Sequence, residues 1–387
     1  MGTYEKTHPW ITFSADLRAA PASLWIILGE CQSKCEHIAA VPLQTATSEK
    51  LHSVYLAKGA HATTAIEGNT LSEEEVFDHL EGRLELPPSR EYLAQEIDNI
   101  VSACNLILND LHEGRRHSLA PSRLNDLNRM VLKNLTVEDG VVPGELRKYS
   151  VGVPKYRGAP AEDCEYLLER LCQWLNGADF EGPADQKLAY AIIKSALAHL
   201  YIAWIHPFGD GNGRTARLVE FQLLLSSGVP APAAQLLSNH YNQTRAEYYR
   251  QLDQASKSGG DIVPFLTYAI RGFAEGLRAQ IAVIRDQQWA VAWESFIHAI
   301  FLEKAGKTHE RRKALLLDLS IRNLSVPLNE LTQISPRVAT LYARLSTRTL
   351  LRDVKALLAE RLVKIDAEGV RPNKELVLAF LPARAQS

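Results

Sequence analysis

Apolar residues recur at intervals of three and four along most of this chain, which is the spacing of one helical face rather than of a strand. The clearest stripe joins Leu93, Ile97, Ile100, Cys104 and Leu108. Similar stripes cover residues 22–40, 48–65, 122–135, 161–175, 188–205 and 261–284, with a further helix through residues 248–249. The pattern therefore predicts a mainly α-helical protein.

Two stretches carry specific start or stop signals. Ser72 precedes the acidic residues 73–75, and a serine followed by an acidic first turn is a favourable helix start. Gly68 and Asn69 follow the stripe of residues 48–65 and fit a helix stop. Residues 140–158 break the helical spacing with Gly, Pro and β-branched residues, which predicts a short β-hairpin.

Residues from about 290 onward have the pattern of a separate unit. Helical stripes at 293–301, 311–319 and 346–358, with a short helix from 328, precede two strand-like segments, 364–366 and 375–380, around the turn Glu368-Gly369. Several helices followed by a two-stranded wing are the order of a winged helix. We therefore predict three parts: an N-terminal helical region 1–90, a helical core 91–287 and a winged-helix-like domain 288–387.

The segment 346–353 resembles a recognition helix, which makes duplex DNA a candidate partner of residues 290–387. Five basic residues support that interpretation and three acidic residues dilute it: Arg344, Arg348, Arg352, Lys355 and Arg361 against Asp353, Glu360 and Asp366. Because of this dilution, the sequence favours a protein-docking module, or one that forms a homodimer, over a DNA-reading one.

Composition narrows the class of protein. The 387 residues are 46% hydrophobic and 23% charged, with a formal net charge of -2, so net charge gives no whole-protein argument for nucleic-acid or membrane binding. Charges interrupt the apolar segments, and residues 1–16 lack the apolar core of a secretory signal peptide. We therefore expect a cytoplasmic protein with no membrane partner. The five cysteines fit reduced thiols in packed positions, without a metal site.

One short loop concentrates the candidate chemistry. It lies between the stripes of residues 188–205 and 218–225, and Pro207 ends the first of these helices. Asp210 supplies the hard oxygen that Mg²⁺ prefers, and His206 supplies a base. A simple turn needs glycines but not a base, an acid and two guanidinium groups. The run is Ile205-His206-Pro207-Phe208-Gly209-Asp210-Gly211-Asn212-Gly213-Arg214-Thr215-Ala216-Arg217.

The same loop has the features of a polyphosphate cradle. Gly211 and Gly213 allow the backbone amides to close around a ligand. The helix that follows directs unpaired N–H groups and a partial positive charge at that point. Arg214 and Arg217 are three residues apart and therefore share one helical face. The sequence predicts a site for phosphate chemistry.

The run from His206 to Arg217 resembles the motif of Fic-domain proteins, His-Pro-Phe-x-Asp/Glu-Gly-Asn-Gly-Arg-x-x-Arg, with every fixed position filled. The resemblance covers roughly residues 50–285. Residues 143–147, with 151–153, resemble the entry to the family's flap, and residues 245–249 resemble its late helix beside the adenine. The resemblance implies a Fic-type helical bundle with a β-hairpin flap. It also implies a protein adenylyltransferase, which transfers AMP from ATP to Ser, Thr or Tyr hydroxyls of target proteins or of itself.

The resemblance also implies residue roles. His206 would deprotonate the attacking hydroxyl, and Asp210 would hold Mg²⁺ between the α- and β-phosphates. Arg214 would support the β-phosphate and Arg217 the γ-phosphate. The implied ATP-binding set is Gly209, Asp210, Gly211, Asn212, Gly213, Arg214, Thr215, Arg217 and Tyr248. Tyr248 is preferred to Tyr249 at the adenine, although helix geometry alone says only that adjacent residues point about 100° apart.

Two further segments complete the implied site. The flap would register the target chain by main-chain pairing, through Val153, Lys155, Tyr156, Arg157 and Gly158. Residues 63–69 match the family's inhibitory motif, Ser/Thr-x-x-x-Glu-Gly/Asn, in its N-terminal position. Thr63, Glu67 and Gly68 fill it, and Glu67 would pair with Arg217 and so occupy the guanidinium that holds the γ-phosphate. A plain surface carboxylate at a helix end is the alternative interpretation of Glu67.

Other functions stay open at this point. The same site could run in reverse, with Glu67 orienting a water that removes AMP, or it could do both. A winged-helix regulator that only senses ATP is a third hypothesis, and His206 argues against it because sensing needs no base. Phosphate, UMP or phosphocholine transfer is also compatible with the loop, and the sequence does not name the target protein.

Overall fold

A computed structural model describes residues 2–18, 20–41, 45–115, 118–152, 158–322 and 325–377. Within these ranges α-helices dominate and one two-stranded antiparallel sheet is present, so the prediction of a mainly α-helical protein is confirmed. The chain divides into two compact units, Met1–Ile281 and Ala282–Ser387. This division lies six residues before the boundary predicted at 287.

The first unit consists of helices packed around one hydrophobic core. Its α-helices are α1 Tyr4–Thr7, α2 Ala22–Ala40, α3 Thr45–Ala65, α4 Glu73–Leu80, α5 Glu91–His112, α6 Pro121–Val131, α7 Cys164–Leu175, α8 Lys187–Ile205, α9 Asn212–Ser226, α10 Ala231–Ala234, α11 Leu236–Gln243, α12 Arg245–Lys257 and the first part of α13 Val263–Ile300. Short 3₁₀ helices cover Pro88–Arg90, Ala161–Asp163 and Ala178–Phe180.

Local signals placed several helices of this unit correctly. The predicted helix at 22–40 coincides with α2. The start signal at Ser72 forms a capping box: Ser72 Oγ accepts from the Glu75 amide at 3.1 Å, and the Glu75 carboxylate accepts from the Ser72 amide at 2.8 Å. After α3, Gly68 has a φ of 109°, a conformation that glycine adopts without strain. The end of α3 and the start of α4 are therefore both fixed by short-range chemistry.

Helix α8 lies in the middle of the first core. Tyr201, Trp204 and Ile205 are almost completely buried, and the helix packs most extensively against α9. The length and hydropathy of α8 match those of a membrane-spanning helix, which the sequence analysis did not expect of any segment. However, 83% of its apolar window is buried inside the protein. A buried core helix passes the same test, so this one helix is weak evidence for a membrane.

Residues 140–152 and Gly158 are the described part of the predicted hairpin, and they form turns, bends and irregular backbone with isolated bridge residues at Leu146 and Gly152. Leu146 makes an isolated antiparallel bridge to Phe208 instead of pairing within the segment. Four of the five flap residues, Val153, Lys155, Tyr156 and Arg157, lie outside the described residues, so the hairpin stays a prediction there.

The second unit has its own core, which includes Trp293, Ile297, Leu316 and Val354. It contains the end of α13, α14 Lys307–Ser320, α15 Pro336–Tyr342, α16 Thr347–Ala359, strands β1 Val363–Ile365 and β2 Val370–Pro372, and 3₁₀ helices Leu331–Gln333 and Lys374–Val377. The strands pair antiparallel with Lys364 opposite Arg371. Val326 adds an isolated bridge to Val370.

The structure corrects two predictions in this region and adds one helix start that was not predicted. The helices expected at 261–284 and 293–301 are one continuous helix, α13. Helix α15 follows Ser335, whose hydroxyl accepts from the Val338 amide at 3.0 Å, and this cap was not predicted from the sequence. The second strand is β2, and residues 374–377 form a 3₁₀ helix where the strand 375–380 was predicted to begin; residues 378–380 lie outside the described residues.

Candidate active site

The loop between α8 and α9 is built on two left-handed residues. His206 is the C-cap of α8; it has φ 49° and ψ 58°, and its amide donates to Ile202 O at 2.9 Å. A non-glycine residue in this conformation costs about 1 kcal/mol, so surrounding contacts must hold it there. Gly211, with φ 75°, provides the second reversal just before α9. The two reversals bring His206 and the start of α9 into one compact loop.

Arg147 supplies the contacts that hold His206. Its side chain is buried and donates from Nε to His206 O at 2.7 Å and from Nη1 to Tyr149 O at 2.7 Å, with a further bond from Nη2 to Ala159 O. Its amide also donates to Pro207 O at 3.0 Å, beside the Leu146–Phe208 bridge. Arg147 belongs to the segment predicted as the flap entry, where it had no predicted role of its own.

Asn128 on α6 makes hydrogen bonds to the other side of the loop. Its Nδ2 donates to Asp210 O at 2.9 Å and to Thr215 Oγ1 at 3.3 Å, while its Oδ1 accepts from the Gly144 amide at 3.0 Å. Asn128 is completely buried. It occupies an apolar position of α6, next to Leu127, and a lone amide at such a position is a sequence signal that could have found it.

The start of α9 presents backbone donors. Asn212 Oδ1 accepts from the Phe208 amide at 2.9 Å and its Nδ2 donates to Phe208 O at 2.8 Å, so this side chain braces the loop. Its amide and those of Gly213 and Arg214 have no hydrogen-bond acceptor within the described ranges. Three such donors at the positive end of a helix dipole form an anion-binding position.

Arg217 and Glu67 form the ion pair predicted from the inhibitory motif. Arg217 Nη2 donates to Glu67 Oε1 at 2.6 Å and to Thr63 O at 2.9 Å. Arg217 is almost completely buried, whereas about a third of the Glu67 side chain, 32%, is exposed. Thr63 contributes its carbonyl, not its hydroxyl. A Cβ on Gly213 would overlap Glu67 Oε1, so a larger residue there would make the carboxylate shift.

Arg217 keeps unused donors. Its Nε and Nη1 are buried without a hydrogen-bond partner among the described residues, as is Nε of Arg214. Buried guanidinium nitrogens are normally satisfied, and leaving them without an acceptor costs free energy. An anionic ligand beside the α9 amides would satisfy them.

A second carboxylate, Glu96 on α5, contacts Arg214. Arg214 Nη1 donates to Glu96 Oε1 at 3.0 Å, and Arg214 Nη2 donates to Asp210 Oδ1 at 3.2 Å. Glu96 Oε2 also accepts from Asn69 Nδ2 at 2.8 Å, just after the end of α3. Glu96 thus connects the inhibitory segment to the loop, a link that sequence reasoning missed because the pairs are far apart in the chain.

Asp210 is the candidate magnesium ligand. Half of its side chain is exposed, and Oδ1 accepts from the Gly211 amide and from Arg214. Oδ2 has no hydrogen bond within the described part of the chain. No cluster of three His, Cys, Asp or Glu side chains able to hold a metal exists among the described residues. The donor set therefore suits Mg²⁺ that receives its remaining ligands from phosphates and water.

The pKa values of both titrating groups are lowered, and for Glu67 burial and the neighbouring charge oppose each other. Burial and then the Arg147 charge lower the pKa of His206 from 6.5 to about 4, which leaves the imidazole neutral at pH 7. Burial alone would raise the pKa of Glu67, but the charge of Arg217 and its hydrogen bond prevail and lower it. The site thus contains a neutral His206 imidazole and an ionised Glu67 carboxylate.

An NMR titration of the His206 ring should show a pKa of about 4. A His206→Gln variant identifies the resonance by its loss. Glu67→Gln should lower the midpoint further, because the Glu67 charge raises the pKa of His206. The unfolded chain gains this proton near pH 6.5, so His206 makes the fold less stable as pH falls from about 6.5 to about 4. A midpoint near 6.5 would contradict the burial and the Arg147 contact.

Tyr248, the residue predicted at the adenine, belongs to a buried hydrogen-bonded cluster. Tyr248 is buried, and its hydroxyl lies 2.8 Å from His199 Nε2, while His199 Nδ1 lies 3.0 Å from Glu220. Tyr249 is only partly buried, and its hydroxyl donates to Ile66 O at 3.4 Å. Tyr249 therefore contacts the residue that follows α3, and a contact of Tyr248 with the adenine stays a prediction.

Two other predicted positions act through backbone or packing. Thr215 is completely buried and its hydroxyl accepts from Asn128. Gly209 lies against Tyr149 and Val141, where a Cβ would crowd the Tyr149 hydroxyl. Gly158 is the one predicted flap residue that the structure describes, and a Cβ there would lie 3.0 Å from His206 Cβ. These residues shape the loop, and their contact with a nucleotide stays a prediction.

Comparisons with known proteins agree with this geometry. Residues 118–224 match the model of the Fic/DOC family. A protein adenylyltransferase fic-1 from Caenorhabditis briggsae is 29% identical over 241 residues, which is 62% of this chain and 44% of that protein. A protein adenylyltransferase Fic from Culex quinquefasciatus is 31% identical over 207 residues, 53% of this chain and 38% of that protein. The chain spans less than half the length of these relatives.

Solved structures show the same fold. A Fic family protein from Desulfovibrio desulfuricans superposes with a TM-score of 0.56 at 19% identity, covering 89% of this chain and 91% of that one, which supports the fold alone. A fragment of Fic-1 from Caenorhabditis elegans gives a TM-score of 0.56 at 25% identity, covering 69% of this chain and 74% of that one. Residues 118–224, which contain the whole loop from His206 to Arg217, therefore form a Fic/DOC-family domain.

Proposed function

We propose that this chain is a protein adenylyltransferase that transfers AMP from ATP to a hydroxyl of a target protein, and that Glu67 restrains it. One observation carries the proposal. A neutral His206 lies in the same loop as an anion position made of three α9 amides and two buried arginines. The curated relatives named protein adenylyltransferases support the choice of reaction.

The loop residues suit the separate needs of this reaction. The α9 amides would bind phosphate oxygens, and Arg214 and Arg217 would neutralise charge on the β- and γ-phosphates. His206 would accept the proton of the target hydroxyl, whose oxygen attacks the α-phosphorus and releases pyrophosphate. Mg²⁺, held by Asp210 and phosphate oxygens, would supply additional charge neutralisation. Preorganised charge of this kind is the main source of catalysis in phosphate transfer.

Restraint by Glu67 follows from competition for one guanidinium. While Glu67 holds Arg217 Nη2, a γ-phosphate cannot use that donor. The terminal phosphate would then bind elsewhere and leave the α-phosphorus badly oriented for in-line attack. A misplacement of about 1 Å costs roughly 10²-fold in rate.

Labelling with two forms of ATP tests the transferred group. Glu67→Gly protein is incubated with Mg²⁺, a cell lysate and ATP labelled at either the α- or the γ-phosphate, and modified proteins are identified by mass spectrometry. Label from the α-position alone supports AMP transfer, and label from the γ-position indicates a kinase. Loss of AMP from a pre-modified target, dependent on Glu67, would instead support the reverse reaction.

Asp210→Asn should raise the Mg²⁺ concentration needed for half-maximal labelling by about tenfold or more. Asparagine keeps an oxygen for the Gly211 amide but removes the charge that attracts the metal. A Mg²⁺ titration of the labelling rate measures the shift. If the metal dependence is unchanged, Asp210 only braces the loop. Asp126→Asn, an exposed carboxylate on α6, serves as the matched control.

A further inference from the structure

The two units of the chain carry opposite charge. Residues 282–387 contain 17 Lys and Arg against 11 Asp and Glu, a formal charge of +6, whereas residues 1–281 contain 26 against 34, a charge of -8. The whole-chain value of -2 conceals this separation. A basic unit attached to an acidic one indicates a polyanionic partner for the basic unit.

Asp353, the acid in the middle of α16, does not face solvent. It is completely buried and accepts from Arg311 Nε at 2.7 Å, Arg312 Nε at 2.9 Å and the Tyr342 hydroxyl at 3.1 Å. These contacts tie α14, α15 and α16 together. Asp353 therefore neutralises two arginines of α14 and leaves the charge on the exposed face of α16 undiminished.

The other two acids counted against a basic surface, Glu360 and Asp366, also contact basic or polar side chains. Lys304 Nζ donates to Glu360 Oε2 at 2.8 Å. Asp366 accepts from Ser325 Oγ at 2.6 Å and lies 3.3 Å from Arg371 Nε. The sequence-based preference for a protein-docking module rested on dilution by these acids, and their contacts remove its basis.

The exposed face of α16 is uniformly basic. Arg348, Arg352 and Lys355 follow at intervals of four and three, so they share one face, and all are exposed. Arg344 precedes them in the turn before the helix and is exposed as well. None of the four forms an ion pair with an acid among the residues that the structure describes. Leu351, 40% exposed, lies between them.

Helix α16 is the second helix of a closely spaced pair, in the same unit as the β1–β2 hairpin. Helices α15 and α16 are joined by the short turn 343–346, and Val326 bridges to β2 beside the β1–β2 hairpin. In winged-helix proteins the second helix of such a pair enters the DNA major groove, which is about 12 Å wide and admits a helix. The 13 residues of α16 make it about 20 Å long.

We propose that the second unit binds duplex DNA, with α16 in the major groove and Arg344, Arg348, Arg352 and Lys355 on phosphates and base edges. The β1–β2 turn is not part of this surface, because Asp366 and Glu368 give it negative charge. DNA binding is independent of the proposed AMP transfer, since no residue of the loop takes part in it.

Fluorescence anisotropy of the full chain with a labelled 20-base-pair duplex of random sequence tests the proposal. We expect binding that weakens steeply between 50 and 200 mM salt, with a dissociation constant on the order of 10⁻⁴ to 10⁻⁶ M at physiological salt. The triple variant Arg348→Ala, Arg352→Ala, Lys355→Ala should weaken binding. The slope of log affinity against log salt should become shallower by about 0.9 for every phosphate that the variant no longer neutralises.

Matched controls distinguish DNA binding by this surface from nonspecific electrostatic binding elsewhere on the chain. Arg271→Ala removes an exposed arginine of the first unit and should leave the affinity unchanged. A duplex RNA of equal length should bind more weakly, because its deep, narrow major groove excludes a helix. The proposal is overturned if wild type shows no salt-sensitive DNA binding or if the triple variant binds as tightly as wild type. Equal binding of RNA or of poly-glutamate would also overturn it and assign the surface to other polyanions.

Discussion

Glu67→Gly protein should label a target, or itself, about 100-fold faster than wild type at saturating ATP and Mg²⁺. The substitution removes the carboxylate that holds Arg217 Nη2 at 2.6 Å and so returns that donor to the γ-phosphate. The magnitude follows from the rate cost of misplacing a reacting atom by about 1 Å. Initial rates of incorporation from α-labelled ATP measure it.

Two further variants test whether Glu67 acts through Arg217. Combining Glu67→Gly with Arg217→Ala should abolish the gain, because no guanidinium is left to be released. Thr63→Ala should stay close to wild type, since it is the Thr63 carbonyl, and not its hydroxyl, that accepts from Arg217. Equal labelling by wild type and Glu67→Gly would reduce Glu67 to an ordinary surface carboxylate.

His206→Ala, made in the Glu67→Gly background, should lose about 10²- to 10⁴-fold in labelling rate. The imidazole is neutral at pH 7, so it acts as the base, and removing it leaves the phosphate donors of α9 untouched. Calorimetric affinity for ATP should therefore change little. Labelling is measured by single-turnover incorporation of the α-phosphate label.

A second substitution controls for the backbone of His206. Because this residue has φ 49°, alanine, like the native histidine, would bear a strain of about 1 kcal/mol there. Asparagine enters the left-handed region more readily and is no base at pH 7, so His206→Asn should show the same rate loss with better-preserved stability. Near-normal labelling by His206→Asn would show that another group accepts the proton.

The helical architecture could be predicted because its causes are local. The stripe of α8, the stop at Pro207 and the capping box at Ser72 each depend on residues within a few positions of one another. The continuity of α13 was missed because nothing in a weak apolar pattern distinguishes one long helix from two. The wing strand was misplaced because residues 375–380 have strand-like composition, while the register of β2 depends on pairing with β1.

In the candidate site, too, some residues could be predicted from the sequence and others could not. The motif loop and the Glu67–Arg217 pair were predicted through the resemblance to Fic-domain proteins, and the ion pair is present. Asn128, Arg147 and Glu96 were missed, because each reaches the loop across 59 or more positions of sequence. No local spacing encodes such a contact. A buried amide among apolar residues is the only hint that any of them gave.

The proposed sharing of Arg217 between Glu67 and a γ-phosphate has a thermodynamic consequence. Any partner that binds α3 more tightly when Glu67 is detached must also increase the affinity for ATP, and ATP must strengthen that partner's binding by the same factor. A ligand that binds the attached and detached states equally changes nothing, however tight its binding. Under the proposed function, the ion pair at 2.6 Å would make ATP and any protein that prefers the detached state of α3 reciprocal effectors of one another.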